Sequence, residues 1–501
     1  MNPLDHFQES WIDAIKKPIS KCATDFPSYA CSEPESLVST SRPLSFEIGT
    51  GASIYTQSLL PAILGAEHEV ILVTCFWAPS STLTALRETL EQLAKLRRDH
   101  VRSQPPSHAT RRSLPILDVR ICFSSRSFLQ KLLHPWSRDG YTYPRSHWVS
   151  KLGLPDPKLL DAGLINLQVK SLFFLPFSVM HPKFLIIDRQ RAWLPSCNIS
   201  WESWLEGCVE ISGDAVTTLL KFYHSVWDRH SEINRQLPIT DGPQQQVDYI
   251  LGPGRSGLMP IQSPARHLVA LQPDCIPTIL LPSSHHRNPH FRPLPWQNSL
   301  HPPNTPLNCA ILHLFAMAKE RIYVQTPNLT SVAVIDALLG ALDRGVDVTV
   351  VTSKGMMVLE QLLTGGTTTS WCLRSFKSQY EKRQKRFIHS AGTSNNEDSG
   401  AVLDLEAQLP ILGSLEIFYF APLVANQLRH VPEELVHSHL KLITVDAEYA
   451  ILGSGNMDRA SWFTSQELGM LFRSKEFVAN VSDAVNRSLR GRLSIFFHSG
   501  R

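Results

Sequence analysis

His181-Pro182-Lys183-Phe184-Leu185-Ile186-Ile187-Asp188 is answered in the second half of the chain by His439-Leu440-Lys441-Leu442-Ile443-Thr444-Val445-Asp446. In both copies a His and a Lys two positions apart open an apolar run of strand length. Side chains alternate along a strand, so His and Lys share one face, while the Asp, at an odd offset, belongs to the other. Ten residues beyond each Asp comes an Asn with a Ser two positions before it, in Pro195-Ser196-Cys197-Asn198 and Gly453-Ser454-Gly455-Asn456. A single His-x-Lys-x4-Asp arises by chance in roughly one chain in twenty of this length. Two copies with the same downstream Ser and Asn are a duplication.

Outward from the motifs the repeat continues. Ala66-Glu67-His68-Glu69-Val70-Ile71-Leu72-Val73-Thr74 is echoed by Ala318-Lys319-Glu320-Arg321-Ile322-Tyr323-Val324-Gln325-Thr326, in each case a helix end feeding a buried strand. Helical periodicity over 83–96 precedes a strand at 118–123, as the same periodicity over 334–342 precedes one at 346–351. Apolar runs at 172–177 and 415–420 lead into the two motifs, and helices over 215–227 and 477–489 follow them. Strands alternating with helices predict an α/β fold: two pseudo-symmetric α-β-α sandwich halves, each with a mixed sheet, packed around one site. The expected organisation is an N-terminal extension (1–44), a first repeat (45–235), a connector (236–306) holding 14 of the 35 prolines, and a second repeat (307–501). A short strand is expected at 278–281 inside the connector, and a mobile loop at about 375–402, where a basic run gives way to polar residues.

The 501 residues, 43% hydrophobic and 19% charged, describe a globular chain with a substantial core, and exclude a disordered one. A net charge of +3 is too weak a footprint to argue nucleic-acid binding by itself. Nine cysteines without a CxxC pair suggest neither a disulfide framework nor a zinc site. The N-terminal residues lack the features of a signal or transit peptide, and no apolar run approaches the ~20 residues needed to span a bilayer. The expectation is an intracellular protein, cytoplasmic or peripheral on a membrane. His285, His286 and His290 lie among prolines without nearby Cys or carboxylate partners, and are read as loop residues rather than a metal site.

Cleaving a phosphodiester needs a nucleophile for phosphorus, a proton for the leaving oxygen, and positive charge around the non-bridging oxygens. Two His, two Lys and two Asn meet those needs: imidazole titrates near neutrality, and the amides donate N–H. Ser196 and Ser454 are further candidates for phosphate contact. A histidine base needs its second nitrogen fixed, and Glu206 and Glu467, 8 and 11 residues after their Asn, are the candidates to fix it. Asp188 and Asp446 are read as structural.

At these residues the chain resembles the phospholipase D superfamily, whose members carry paired HxKxxxxD motifs, each followed by a GSxN-like segment and a Glu. The resemblance covers most of residues 45 to 495. It implies a two-step reaction through a covalent phosphohistidine, with no metal or other cofactor, in which His181 attacks and His439 protonates. It assigns phosphate binding to Lys183, Lys441, Asn198 and Asn456. The first copy departs from the family pattern at Pro182 and at Pro195, where Gly is usual. The expected substrate is a glycerophospholipid met at a membrane surface, its phosphatidyl group being hydrolysed or passed to an alcohol. A nuclease on the same scaffold is the alternative, and a degenerate phosphate-binding module the third reading.

Overall fold

A computed structural model describes residues 3–16, 29–103, 114–135, 137–174, 178–199, 203–230, 266–271, 274–283, 301–393, 412–424 and 434–500. The first half contributes strands β1 (Val38–Thr50), β2 (Glu69–Phe76), β3 (Leu117–Ser125), β4 (Ile165–Ser171), β5 (Phe184–Ile187), β6 (Arg191–Pro195) and β7 (Trp204–Ser212). They pair in the order β4-β3-β2-β5-β6-β7-β1, parallel among β2, β3 and β4 and antiparallel elsewhere. The second half repeats this with β8 (Ile276–Ser283), β9 (Arg321–Thr326), β10 (Asp347–Ser353), β11 (Leu415–Phe420), β12 (Leu442–Val445), β13 (Tyr449–Gly453) and β14 (Glu467–Arg473). Their order is β11-β10-β9-β12-β13-β14-β8, with the same directions. The start of β1 pairs with β8, from Val38 opposite Ile279 to Ser41 opposite Ile276, and joins the two sheets.

Helices cover the sheets as the apolar periodicity dictates. Among them, in chain order, are α1 (Pro3–Lys16), α2 (Ser81–Ser103), α3 (Phe128–Leu132), α4 (Asp214–Val226), α5 (Pro306–Met317), α6 (Val332–Asp343), α7 (Val358–Gly365), α8 (Thr369–Thr393), α9 (Arg459–Phe463) and α10 (Lys475–Leu489). On α2, Leu83, Leu86, Leu90 and Leu93 recur every three or four residues and are buried against the sheet, while the opposite face is charged. Truncating one of them, Leu90→Ala, removes about 2–5 kcal/mol of packing. Helix α1 belongs with the second half: the Trp11 indole N–H donates to the Pro306 carbonyl at 3.0 Å, and Phe7 packs 5.8 Å from Tyr449.

Three sequence expectations change. The strand equivalent to β11 is β4, not the apolar run at 172–177; its pattern alternates, with Ile165, Leu167 and Val169 buried between more exposed polar residues. The stretch expected to be a loop from about 375 is helical as far as Thr393, because Leu373, Phe376 and Tyr380 bury one side of α8 and Tyr380 donates its hydroxyl to the Gly413 carbonyl at 2.9 Å. The expected strand at 278–281 is longer, 276–283, and is an integral member of the second sheet rather than an isolated piece of connector. Most of the connector, His285, His286 and His290 included, and residues 394–411 lie outside the described residues.

Candidate active site

The two motif aspartates set the frame. Asp188 takes a left-handed conformation (φ 51°), and its carboxylate accepts N–H bonds from Glu67, His68 and Glu69 at 3.0, 2.7 and 2.8 Å. Asp446 (φ 52°) does the same for Lys319, Glu320 and Arg321 at 2.9, 2.9 and 3.0 Å. Each aspartate thus ties the turn after its motif strand to the segment entering β2 or β9, the pair of segments in which the repeat is visible in sequence. Short polar side chains tolerate the left-handed region better than most, and three amide donors hold a carboxylate firmly.

The histidines are positioned by the opposite half. The His181 N–H donates to the Gln466 carbonyl and the Gln466 N–H to the Val179 carbonyl, both at 2.9 Å. In the mirror arrangement the His439 N–H donates to the Leu205 carbonyl at 2.8 Å, where residues 437–438 run parallel to Trp204 and Leu205. The next residues along those strands are Glu467 and Glu206. Hence Glu467 meets His181 and Glu206 meets His439, each carboxylate 2.7 Å from an Nδ1. Each histidine is therefore oriented by the glutamate of the other repeat. Strand pairing, not distance from the Asn, fixes the carboxylates; α9 follows Asn456 and lengthens the interval to Glu467. Of the neighbouring carboxylates in the sequence, Glu210 is paired with Arg191 and Glu202 lies outside the described residues.

Ser196 and Ser454 do not take the phosphate-contacting position expected from sequence. The Ser196 hydroxyl donates to Glu206 and accepts the Gly207 N–H at 2.9 Å; the Ser454 hydroxyl donates to Glu467 at 2.5 Å and accepts the Leu468 N–H at 3.0 Å. Both hold the carboxylates. Ser461, which the sequence did not single out, donates to the other Glu467 oxygen at 2.7 Å. The departure at Pro195 leaves this geometry intact: the Ser196 N–H reaches the Gly207 carbonyl at 2.8 Å, as that of Ser454 reaches Leu468 at 2.9 Å. At the matching Gly453 a β-carbon would stand 2.2 Å from the Leu468 oxygen, so there the glycine is required.

His181, His439, Asn456 and Glu467 line a cavity of about 280 Å³ together with Cys75, Lys131, Asn328, Glu360 and Gln361. Lys183 and Lys441 are buried and are not among its lining residues. Lys183 donates to the His181 carbonyl at 2.8 Å, and Lys441 stands 2.8 and 2.9 Å from the two ring nitrogens of His439. Asn198 Oδ1 accepts the N–H groups of Cys75 and Phe76 at 3.2 and 3.3 Å, and its buried Nδ2 has no partner among the described residues. Asn456 donates to Asp458 at 3.0 Å. The Trp204 ring packs 5.0 Å from that of His439.

Burial dominates the electrostatics. It lowers the pKa of His181, against the opposing pull of Glu467. His439, more deeply buried and beside Lys441, is pushed down to about 3. Burial and Lys183 bring Lys441 down to about 7. For Glu206 and Glu467 burial acts upward, yet the facing histidine and lysines outweigh it and keep both below the ordinary carboxylate value. Two lysines whose charged forms burial disfavours thus stand beside two ionised glutamates and two histidines, and an anionic phosphoryl group adds counter-charge to that cluster.

Among known proteins, residues 311–489 match the family model "Cardiolipin synthase, PLD-like domain". No curated protein matches the sequence. Phosphatidylserine synthase of Haemophilus influenzae Rd KW20 is similar in structure over 93% of this chain and 91% of its own, at 14% identity and a TM-score of 0.51. Polyphosphate kinase of Porphyromonas gingivalis covers 90% of this chain and 48% of its own at 10% identity (TM-score 0.44). The phospholipase D family member Nuc of Salmonella typhimurium covers 44% and 97% at 14% identity (TM-score 0.26). Residues 311–489 thus match a phospholipase D-like domain, and the first half of the chain repeats the strand order of the second.

Proposed function

We propose that the protein cleaves the phosphodiester of glycerophospholipids and passes the phosphatidyl group to water or an alcohol through a phosphohistidine on His181. The observation that carries this reading is the pair of crossed, buried His–Glu contacts on one cavity. With Nδ1–H directed at Glu467, His181 presents the lone pair of Nε2. That nitrogen attacks phosphorus; the N–P bond forms as the P–O bond to the leaving group breaks, and His439 gives that oxygen its proton. In the second step water or an alcohol attacks phosphorus, its proton passes to the now neutral His439, and the N–P bond breaks. Lys183, Lys441, Asn198 and Asn456 supply charge and N–H donors to the phosphoryl oxygens, and Glu206 and Glu467 stabilise the imidazolium forms.

Burial holds His439 deprotonated before substrate binds, so it takes up a proton from solvent as the substrate enters. An anionic phosphodiester supplies counter-charge to both histidine–lysine pairs and raises their affinity for protons. The test is a product assay on phospholipids with added alcohols, and on oligonucleotides in parallel, in excess chelator. The expected result is chelator-resistant release of phosphatidate or phosphatidyl-alcohol that His181→Asn and His439→Asn abolish. Cleavage of oligonucleotides with phospholipids untouched would overturn the reading, and chelator sensitivity its metal-free chemistry.

A further inference from the structure

Two helices that line the cavity also carry exposed leucines that its chemistry does not use. Lys131 faces the cavity from α3, yet Leu129 and Leu133 on and just after that helix are 71% and 85% exposed. From the other side Glu360, Gln361 and Thr364 of α7 line the cavity, while Leu359 and Leu363 of the same two turns are 72% and 56% exposed. Helix α7 is a built element: the buried Gln361 side chain donates to Asn328 at 2.8 Å and accepts the Thr369 N–H at 2.6 Å. That second bond places the start of α8 beside the cavity. There Trp371, also exposed, heads a stripe that continues through Arg374, Ser378, Lys382 and Lys385, spaced three or four residues apart and exposed along the side opposite Leu373, Phe376 and Tyr380.

We propose that this surface docks the protein on a phospholipid bilayer containing anionic lipid, with the leucines and Trp371 entering the headgroup region and the α8 stripe on the negative surface. The inference rests on the lipid reading of the site and names its contact surface. Large apolar side chains left in water beside one cavity mark an interaction surface. Interfacial tryptophan followed by a basic helical stripe fits the chemistry of an anionic lipid surface. Among the described residues no helix is long and apolar enough to cross a membrane, so the contact is of the kind that lies on the surface.

The test is cosedimentation of the full chain with vesicles of phosphatidylcholine containing about one quarter phosphatidylglycerol, comparing wild type, Leu359→Glu/Leu363→Glu and Lys382→Glu/Lys385→Glu. Turnover of a dissolved short-chain phospholipid and circular dichroism are measured on the same samples. Binding should fall roughly tenfold or more in the leucine variant, from lost apolar burial and added negative charge. In the lysine variant it should fall with loss of salt dependence, and short-chain turnover should be unchanged in both. Vesicle binding equal to wild type in both folded variants overturns the surface, as does a wild type that turns over short-chain lipid without binding vesicles; neither result touches the proposed function. A wild type that is dimeric through the exposed leucines and ignores vesicles overturns it in favour of self-association. Vesicle binding lost in the leucine variant, from a protein that cleaves no phospholipid, leaves the surface standing and removes the functional reading.

Discussion

Glu206→Gln separates the two histidines by the step each serves. The carboxylate is fully buried, its oxygens shared between His439 Nδ1 at 2.7 Å and the Ser196 hydroxyl. Glutamine preserves the shape but removes the charge that stabilises His439 in its protonated form. Two unit charges about 4 Å apart at an effective dielectric near 20 interact by about 4 kcal/mol. Allowing for relaxation, a loss of about 2–4 kcal/mol on steps that need protonated His439 lowers turnover roughly 30- to 1000-fold. The assay compares substrates that differ only in leaving group, an alkyl alcohol against p-nitrophenol, by rapid mixing. Nitrophenolate leaves without a proton, so Glu206→Gln should regain most of its burst rate on that substrate. Glu467→Gln, acting on the nucleophile, should stay slow on both. The reverse pattern, or the same leaving-group sensitivity in the two variants, would refute the crossed assignment.

Other perturbations read other parts of the structure. Affinity for inorganic vanadate or phosphate should weaken as pH rises through about 7, where Lys441 loses its proton, and Lys441→Met should flatten that dependence in a titration followed by calorimetry. His439 binds its proton less readily folded, near 3, than unfolded, near ~6.5, so its contribution to stability is complete above the unfolded value and is lost as pH falls toward 3; denaturant unfolding should record that loss, and bound phosphate should reduce it. Asp446→Ala removes the acceptor of three amide N–H bonds and should cost about 2–4 kcal/mol in urea unfolding, with Asp188→Ala similar. Ser454→Ala should reduce turnover roughly tenfold through loosened Glu467 while leaving phosphate affinity near wild type.

The duplication was legible because both copies keep the same chemistry at the same spacing, and the helices flanking it because their apolar faces recur at helical intervals. Strand β4 escaped because its alternating residues compete with a continuous apolar run immediately after it, and continuity is the stronger signal by eye. Helix α8 escaped because its composition is that of its exposed side; three buried side chains suffice to hold it. The glutamates could be named from type and rough spacing. Their exchange between halves could not, since it depends on backbone pairing between residues 286 and 233 positions apart in sequence. Nor does spacing reveal that Ser196 and Ser454 serve the carboxylates, because a hydroxyl's partner is set by the strand it faces.

On the proposed mechanism, one site drawn from both halves works through a covalent bond to His181. Rapid acid-free quenching of a nitrophenyl phosphodiester reaction in His439→Asn, followed by peptide mass spectrometry, tests it directly. An acid-labile phosphoryl adduct is expected on the peptide containing His181, and none in His181→Asn. An adduct on another residue, or substrate turnover by His181→Asn, would contradict it.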